Sequence, residues 1–438
     1  MRMRTTVGVA LGLLAACSTD DPPPGDMLID GRWTEAEWDK IQNFGALEVP
    51  PPANPTNKYA DNPAVAALGQ SLFFDKRFAG PLTEDNDLGL MGETGKVSCT
   101  TCHNPQGFFQ DTRPDNKRSH GAGLTGRNTP SLVNVVYYEW GNWAGAHDQF
   151  WKQGANGAES RDNFNGNRLQ FAHFMYEHYR STYDSLFPIP LDPALDPDHP
   201  DAARFPPSGK PKSSGAPDGA WEMMAPEDQV IVNTIMANVG KSFEAYERLL
   251  ISKNSPLDRY IAGDFAALNQ QAKRGLALFI GKAACHGCHS DTTFSDQKFH
   301  NTGLRQTRDD QGRYEDLPKA ISNTFSGAGA YSDDPAAGMA KLANMTQTEE
   351  MRGQFRTKSL RHIAETAPYM HDGSLATLED VVRFYNRGGD DTGFPGTKDP
   401  LMVPLNLTDR EITDLVEFLR ALTGEPVPAA LTVDTSAP

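Results

Sequence analysis

Two cysteine pairs, each followed directly by a histidine, are the residues of this sequence whose types and spacing best suit chemistry. They are Cys99, Cys102 and His103 in VSCTTCHNP, and Cys285, Cys288 and His289 in AACHGCHS. In a C-x-x-C-H motif the two sulfurs attach a haem covalently and the histidine binds its iron. A redox disulfide or a zinc site built from the thiols would leave both histidines unexplained. The sequence therefore predicts two covalently bound haem c groups.

The fifth cysteine, Cys17, ends a short apolar run that follows two arginines near the N-terminus. The run is far shorter than the roughly 20 residues that a membrane-spanning helix needs, so residues 1–17 are expected to be a processing segment. The sequence LAAC at its end resembles a bacterial lipoprotein signal, in which Cys17 would carry a lipid. An ordinary cleaved signal is the alternative. Either route exports the chain, and we expect it in the periplasm, anchored to a membrane by the lipid.

The charge of the chain argues against nucleic acid as a partner. The formal net charge is −16, and the propionates of two haems would add to it. An acidic surface of this kind suits a basic partner such as a small cytochrome, although most acidic exported proteins are merely soluble.

An internal repeat indicates two related halves. The sequence ALGQSLFF at 67–74 precedes the first haem motif, and KRGLALFI at 273–280 precedes the second. Both segments are predicted to be helices, capped at their N-termini by Asn62 and Asn269. Each half is therefore expected to build a cytochrome c-like domain around one haem.

The division of the chain follows from this repeat and from composition. Pro-rich, polar stretches within residues 18–61 predict a tether that extends without folding. We expect an N-terminal haem domain over residues 62–250 and a C-terminal haem domain over 251–426, which are ordinary domain sizes. Residues 427–438 are expected to form a flexible tail.

Apolar periodicity and capping residues predict a mainly α fold with long loops. One apolar stripe covers residues 226–250, and a capping pattern at Thr408 opens another helix. Thr377 is expected to cap a third helix, whose apolar stripe includes Tyr385. Residues 305–352 are predicted to be an insertion loop.

These features resemble the bacterial di-haem cytochrome c peroxidase family, and within it the MauG-like branch. Beyond the haem motifs, the resemblance rests on RNTPSLVNV at 127–135 and on FRTKSLRHIAETAPYMHDGSLATLEDVVRFYNRGG at 355–389. It covers the chain from residue 68 to about residue 424. It implies a peroxide-binding haem held by His103 in the N-terminal half and an electron-relay haem held by His289 in the C-terminal half.

The family divides at the sixth ligand of the C-terminal haem, which is Met in classical peroxidases and Tyr in the MauG-like branch. Counting fourteen residues from His371 of the PYxHxG motif gives Tyr385. A phenolate oxygen is a hard, anionic ligand that stabilises high-valent iron. The resemblance therefore implies that Tyr385 binds this iron. The alternative is a core tyrosine, with Met370 or Met402 as the ligand.

The peroxide pocket implied by the resemblance departs from the family pattern. Gln153 matches the distal Gln, and Trp143 falls where the family has a Trp between the haems. Asn163 stands at the position of a catalytic Glu, and an amide does not shuttle a proton as a carboxylate does. Asp162 or Glu159 would have to substitute, or peroxide activation would be slow.

Two further assignments depend on the resemblance. His120 aligns with a distal histidine that classical peroxidases release on activation, but its loop equally resembles the one that lacks this ligand in MauG-like proteins. The family also binds a calcium ion between the halves, at positions that match the side chain of Asn128 and the carbonyls of Thr366 and Pro368. Oxygen ligands on loops suit calcium, although Asn128 could instead only cap a turn.

Other histidines have no motif around them, among them His147, His173, His178, His300 and His362. We expect each of them to be solvated or hydrogen-bonded in a structural role.

Three functions agree with the sequence. The first is a MauG-like enzyme that uses hydrogen peroxide to form a high-valent state shared by both haems and oxidises a protein partner at a Tyr or Trp. The second is a classical peroxidase that reduces hydrogen peroxide with electrons from a small cytochrome c. The third is an electron-transfer cytochrome without peroxidase turnover, which the missing distal Glu allows.

Overall fold

The computed structural model describes residues 28–113, 117–322 and 324–436. Its α-helices are α1 (Glu35–Gln42), α2 (Pro63–Phe74), α3 (Cys99–Cys102), α4 (Phe150–Gly157), α5 (Arg168–Leu186), α6 (Pro226–Glu247), α7 (Pro256–Ile261), α8 (Gln270–Ile280), α9 (Arg313–Ile321), α10 (Pro335–Leu342), α11 (Leu378–Asn386) and α12 (Asp409–Arg420). Two short strands, β1 (Phe299–His300) and β2 (Phe355–Arg356), pair antiparallel with Phe299 opposite Arg356. The mainly α fold predicted from the sequence is confirmed.

The internal repeat corresponds to one helix crossing used twice. A Cβ added at Gly69 of α2 would lie 1.9 Å from the carbonyl oxygen of Ser242 in α6, and a Cβ at Gly275 of α8 would lie 2.1 Å from that of Asp414 in α12. No other residue fits such an approach, because real Cβ contacts are not this short. Each repeated segment therefore packs its glycine against the last long helix of its own half.

Each half has its own hydrophobic core around its helix pair. The N-terminal core includes Leu72 of α2, Trp151 of α4 and Tyr246 of α6, all fully buried. The C-terminal core is built in the same way around Leu276 of α8 and Phe418 of α12. The caps predicted for both repeats are confirmed, since the side chains of Asn62 and Asn269 accept hydrogen bonds from the backbone of α2 and α8.

The segment before α2 differs from the extended tether that its composition predicts. Residues 28–61 contain α1 and pack on the C-terminal core, where Trp33, Ile41 and Phe44 are buried. The Trp33 indole donates a hydrogen bond to the Tyr260 hydroxyl at 2.6 Å. This segment is rich in proline, which is why its composition predicts an extended tether. It folds onto the C-terminal core because burying its spaced apolar side chains is favourable. The remainder of the expected tether, with the N-terminal signal and Cys17, lies outside the described residues.

The C-terminal tail also differs from its prediction. Instead of extending freely, its described part returns to the N-terminal half, where Leu431 contacts the core. The Gln70 side chain of α2 donates a hydrogen bond to the carbonyl of Ala430 at 2.9 Å, and Tyr246 of α6 donates one to the carbonyl of Leu431. The segment that follows the C-terminal half thus contacts the N-terminal half through these hydrogen bonds and apolar packing. In the described part of the chain, no helix is long and apolar enough to cross a membrane.

Candidate active site

The first haem motif is presented by a single helical turn. A capping box at Ser98 starts α3, which carries Cys99 and Cys102, and His103 ends it. Nδ1 of His103 lies 2.9 Å from the carbonyl oxygen of Phe109, which only accepts, so Nδ1 is the protonated nitrogen. Burial lowers the pKa of His103 to about 4. The ring is therefore neutral with its Nε2 lone pair available, which is the form that binds iron.

The second haem motif repeats this arrangement. Nδ1 of His289 lies 3.0 Å from the carbonyl oxygen of Phe294, and burial lowers the pKa of His289. Phe109 and Phe294 share a left-handed backbone, with φ of 53° and 52°, which turns each carbonyl toward its histidine. These carbonyl partners are not among the features predicted above from the sequence. A signal was present, because each phenylalanine begins an F-x-D tripeptide five or six residues after the histidine.

A cavity of about 580 Å³ lies beside the first haem motif. Cys99, Cys102 and His103 line it, together with Gln153 of α4 and Asn163. A cavity of this volume accommodates a cofactor.

Orphaned polar atoms provide an independent test of whether haem fits. Arg356 is buried, two of its guanidinium nitrogens have no hydrogen-bond partner among the described residues, and burial lowers its pKa to about 10. A buried guanidinium without an anion is costly. Since Arg356 lies two residues before Lys358, whose backbone is near the His289 ring, a propionate of the C-terminal haem would fit this position.

The carboxylates proposed as substitutes at the Asn163 position are engaged elsewhere. Glu159 binds Arg168 through both oxygens, at 2.8 and 2.6 Å, and Asp162 pairs with Arg161 at 3.0 Å. Among the described residues that line the cavity, Asn163 is present and neither acid is. The structure therefore gives no support to either substitution.

The segment 305–352, predicted as an insertion loop, contains α9 and α10 and covers part of the cavity. Arg127 holds it through ion pairs with Asp310 at 2.7 Å and Asp316 at 2.6 Å. Six of its charged residues line the cavity, namely Arg308, Asp309, Asp310, Glu315, Asp316 and Lys319. The insertion therefore shapes the N-terminal haem pocket, which its composition alone does not reveal.

Two histidines of the N-terminal half occupy different places. His120 does not line the cavity among the described residues; its carbonyl accepts a hydrogen bond from Arg113 at 2.7 Å and lies 3.9 Å from the Cys102 sulfur. His147, for which the sequence predicts a structural role, does line the cavity, and its buried Nδ1 has no partner among the described residues.

The two family-like segments meet between the halves. The Trp143 indole donates a hydrogen bond to the backbone carbonyl of Asn128 at 2.7 Å. The backbone N–H of Asn128 donates one to the His371 carbonyl, also at 2.7 Å. The Asn128 side chain reaches the Pro368 carbonyl at 2.6 Å. Of the three positions assigned to calcium, the structure thus joins Asn128 and Pro368, whereas no hydrogen bond among the described residues links Thr366 to Asn128.

Tyr385 lies near the second haem motif. Thr377 caps α11 as predicted, accepting a hydrogen bond from the Asp380 amide at 3.0 Å. Burial raises the pKa of Tyr385, and the Cys285 and Cys288 sulfurs are near enough to raise it further. Within the described part of the chain, its hydroxyl has no hydrogen-bond partner. The phenol oxygen is therefore available to a group bound at the second haem motif.

Comparisons with known proteins agree with this geometry. A profile of the family described as Di-haem cytochrome c peroxidase matches residues 63–266. Cytochrome-c peroxidase IdrP1 of Denitromonas iodatirespirans is 33% identical over 391 residues, covering 86% of this chain and 88% of its own. Methylamine utilization protein MauG of Methylorubrum extorquens is 29% identical, covering 87% of this chain and 83% of its own. A MauG-like protein associated with microbial copper homeostasis has a similar structure, with a TM-score of 0.60, 26% identity and coverage of 88% and 97%.

The chain belongs to the di-haem cytochrome c peroxidase family. It is therefore an oxidoreductase, and its family implies two haem c groups and hydrogen peroxide as the oxidant. Its relatives include both MauG and cytochrome c peroxidases, so the family alone does not decide between the two branches.

His300 bridges two carboxylates beside the second haem motif. Its Nδ1 lies 2.7 Å from Asp399 and its Nε2 lies 2.9 Å from Asp296, and the Cys288 sulfur is within 4.8 Å of the Asp296 and His300 ligand atoms. Burial lowers the pKa of His300, but the hydrogen bonds to both carboxylates outweigh it and raise the pKa above its ordinary value.

The stability contributed by His300 should therefore depend on pH. Because its folded pKa exceeds the unfolded value of about 6.5, the contribution is complete below that pH and is lost as pH rises through the folded pKa. His300→Gln is expected to lower the free energy of unfolding by about 2 kcal/mol near pH 6 and by clearly less near pH 9. Denaturant unfolding at the two pH values measures this difference, and equal losses would contradict it.

Proposed function

We propose that the protein uses hydrogen peroxide to store two oxidising equivalents across its two haems and then oxidises a protein partner at a Tyr or Trp. The observation that carries the proposal is Tyr385, which lies near both thiols of the second haem motif and whose hydroxyl has no hydrogen-bond partner among the described residues. Tyr385 is proposed to bind the C-terminal iron as its sixth ligand.

The protonation state of Tyr385 supports this assignment. Burial, and to a lesser extent the Cys285 and Cys288 sulfurs, raise the pKa of its phenol. The phenolate therefore needs a nearby cation to form. When bound, haem supplies a ferric iron, and a bound metal ion is often the largest local charge in a site and reverses the local pKa shift. A phenolate then favours the oxidised metal over the reduced one.

The N-terminal half is proposed to receive the peroxide. His103 would bind iron through Nε2, fixed by its hydrogen bond to the Phe109 carbonyl. Gln153 lines the same cavity and is proposed to donate a hydrogen bond to peroxide. Trp143 is proposed to carry electrons between the halves, because it is hydrogen-bonded to both. Its indole donates to the Asn128 carbonyl of the N-terminal half, and its own carbonyl accepts from the Arg356 N–H of the C-terminal half. The Lys358 ammonium lies 5.0 Å from the Trp143 ring.

A cytochrome c peroxidase that makes water from peroxide is the second candidate, favoured by the 33% identity to cytochrome-c peroxidase IdrP1. Steady-state peroxide consumption with a reduced small cytochrome c as the only donor separates the two. Our proposal predicts slow turnover, well below the roughly 10 s⁻¹ typical of enzymes. Turnover at or above that rate would favour the second candidate.

We also propose a calcium ion between the halves, held by Asn128, Thr366 and Pro368. The amide orientation at Asn128 is interchangeable, and with Oδ1 turned toward the Pro368 carbonyl, 2.6 Å from the side chain, both oxygens would face a cation. Removing calcium with EGTA is expected to destabilise the protein by about 2.7 kcal/mol if calcium was present at 100 times its dissociation constant. Thermal unfolding measures the effect. Asn128→Ala should no longer respond to EGTA, and a response of wild-type size would contradict the site.

We propose that the protein is exported to the periplasm and that Cys17 holds it at a membrane by a lipid. Cys17→Ser is expected to move the protein from the membrane fraction to the soluble fraction of cells. Its haem content should stay the same, because both haem motifs lie elsewhere. Membrane association that persists in Cys17→Ser would rule out the lipid anchor.

A further inference from the structure

The N-terminal haem cavity contains an imidazole that none of the assigned roles uses. His147 lines the cavity with Gln153 and Asn163. A Cβ added at Gly141 would lie 3.0 Å from the His147 Cβ and 3.2 Å from Gln153 Oε1. The His147 Cβ and Gln153 Oε1 therefore lie close together beside Gly141, so the histidine neighbours the residue proposed to bind peroxide.

The hydrogen-bonding of His147 differs from that of His173 and His300. Among the described residues it shares an unpartnered, buried Nδ1 with His362, which does not line this cavity. His173 and His300 each engage both ring nitrogens with oxygen atoms. His147 has a buried Nδ1 without a partner among the described residues. Buried polar atoms are nearly always paired, and a partner supplied by a bound ligand is the explanation that fits an atom in a haem cavity.

The charges around His147 keep its ring neutral. Burial lowers its pKa to about 3, with Lys152 and Lys319 acting in the same direction and Asp316 opposing them. Lys152 is held by Asp148 at 3.3 Å and by the carbonyls of Lys319 and Ala320. A neutral imidazole has a lone pair that accepts a proton and, once protonated in such surroundings, returns it readily.

We propose that His147 is the acid–base residue of the peroxide pocket, replacing the carboxylate whose position Asn163 occupies. This inference rests on the proposed peroxide chemistry. With haem bound in the cavity, His147 would take one proton of hydrogen peroxide and return it to the oxygen that leaves as water when the O–O bond breaks. Over a turnover, one hydrogen peroxide accepts two electrons and two protons and gives two waters. The electrons come from the oxidised partner by way of the haems, and His147 is neutral before and after.

Two rapid-mixing measurements on the holoprotein test His147. The first follows the reaction of the N-terminal haem with peroxide, and the second follows cyanide binding, since hydrogen cyanide must also lose a proton on binding iron. His147→Gln keeps a polar side chain but cannot accept the proton. We expect it to slow both association rates by about 100-fold or more. Cyanide dissociation should slow to a similar extent, because a proton shuttle speeds both directions and leaves the affinity unchanged.

Matched variants exclude indirect effects. His199→Gln changes a histidine that does not line the cavity, and it should leave both rates unchanged. Adding Asn163→Glu to His147→Gln should restore most of the peroxide rate, because it returns a carboxylate to the cavity. Rates in His147→Gln within about two-fold of wild type, far from the roughly 100-fold loss expected of an acid–base residue, would overturn the proposal.

Failure of the proposed function and failure of the role proposed for His147 give different results. If the wild-type protein does not react with peroxide, the proposed function fails, whereas cyanide binding still decides the role of His147. If His147→Gln does not assemble both haems, His147→Asn, whose shorter amide does not crowd Gln153, answers the same question by the same two rates.

Discussion

Tyr385→Phe is expected to remove the sixth ligand of the C-terminal iron. The optical and magnetic spectra of that haem should change to those of an open or water-bound site, while the N-terminal haem spectrum stays nearly intact. Storage of oxidising equivalents across both haems should be lost, because the anionic oxygen that stabilises the oxidised metal is gone. The α11 helix should survive, since phenylalanine keeps the ring.

Tyr183→Phe is the matched control. The Tyr183 hydroxyl accepts a hydrogen bond from Asn238 at 2.7 Å in the N-terminal core, so its loss should cost about 1 kcal/mol of stability and change neither haem spectrum. Tyr385→Met should bind iron through a thioether, which favours the reduced metal and a higher potential. An unaltered C-terminal haem in Tyr385→Phe would exclude Tyr385 as the ligand and favour Met370 or Met402.

Gly275→Ala is expected to have the largest effect on stability. The new Cβ would lie 2.1 Å from the Asp414 carbonyl oxygen and 2.6 Å from the Phe418 Cβ, and neither backbone nor core ring can yield without separating α8 from α12. Overpacking of this kind costs about 3 kcal/mol, which lowers the midpoint of thermal unfolding by roughly 10 °C. Incorporation of the second haem should fall with it, because α8 leads into that motif.

Gly157→Ala provides a control for the change of residue type. Gly157 ends α4, and a Cβ there would meet no atom within 4 Å. This variant should be as stable as wild type, or more stable by up to about 1 kcal/mol, because alanine is the better helix former. If Gly275→Ala and Gly157→Ala behaved alike, the close helix crossing would not be what requires glycine at 275.

The features that the sequence predicts correctly are local or repeated ones. Asn62, Asn269 and Thr377 cap the expected helices because capping depends on residues within one turn. The two halves are recognisable because Gly69 and Gly275 stand at the same place in each repeat, and the structure shows that each permits a close helix crossing.

The features that differ depend on contacts between distant residues. Residues 28–61 fold because Trp33 and Phe44 pack on the C-terminal core, whose residues lie more than two hundred positions later in the sequence. The local proline-rich composition cannot predict this distant contact. His147 has no motif around it, and only the approach of residues 305–352 and α4 makes it part of a cavity. Likewise, Glu159 is removed from consideration as a peroxide acid only by its ion pair with Arg168.

The most direct test of the central claim is a titration of the as-isolated holoprotein with hydrogen peroxide, followed by electron paramagnetic resonance and near-infrared absorption. Without any added donor, we expect one equivalent of peroxide to remove the ferric signals of both haems together and to produce a near-infrared band from charge shared between them. A loss of one ferric signal only, with no near-infrared band and with peroxide consumed only when reduced cytochrome c is present, would contradict the proposed function.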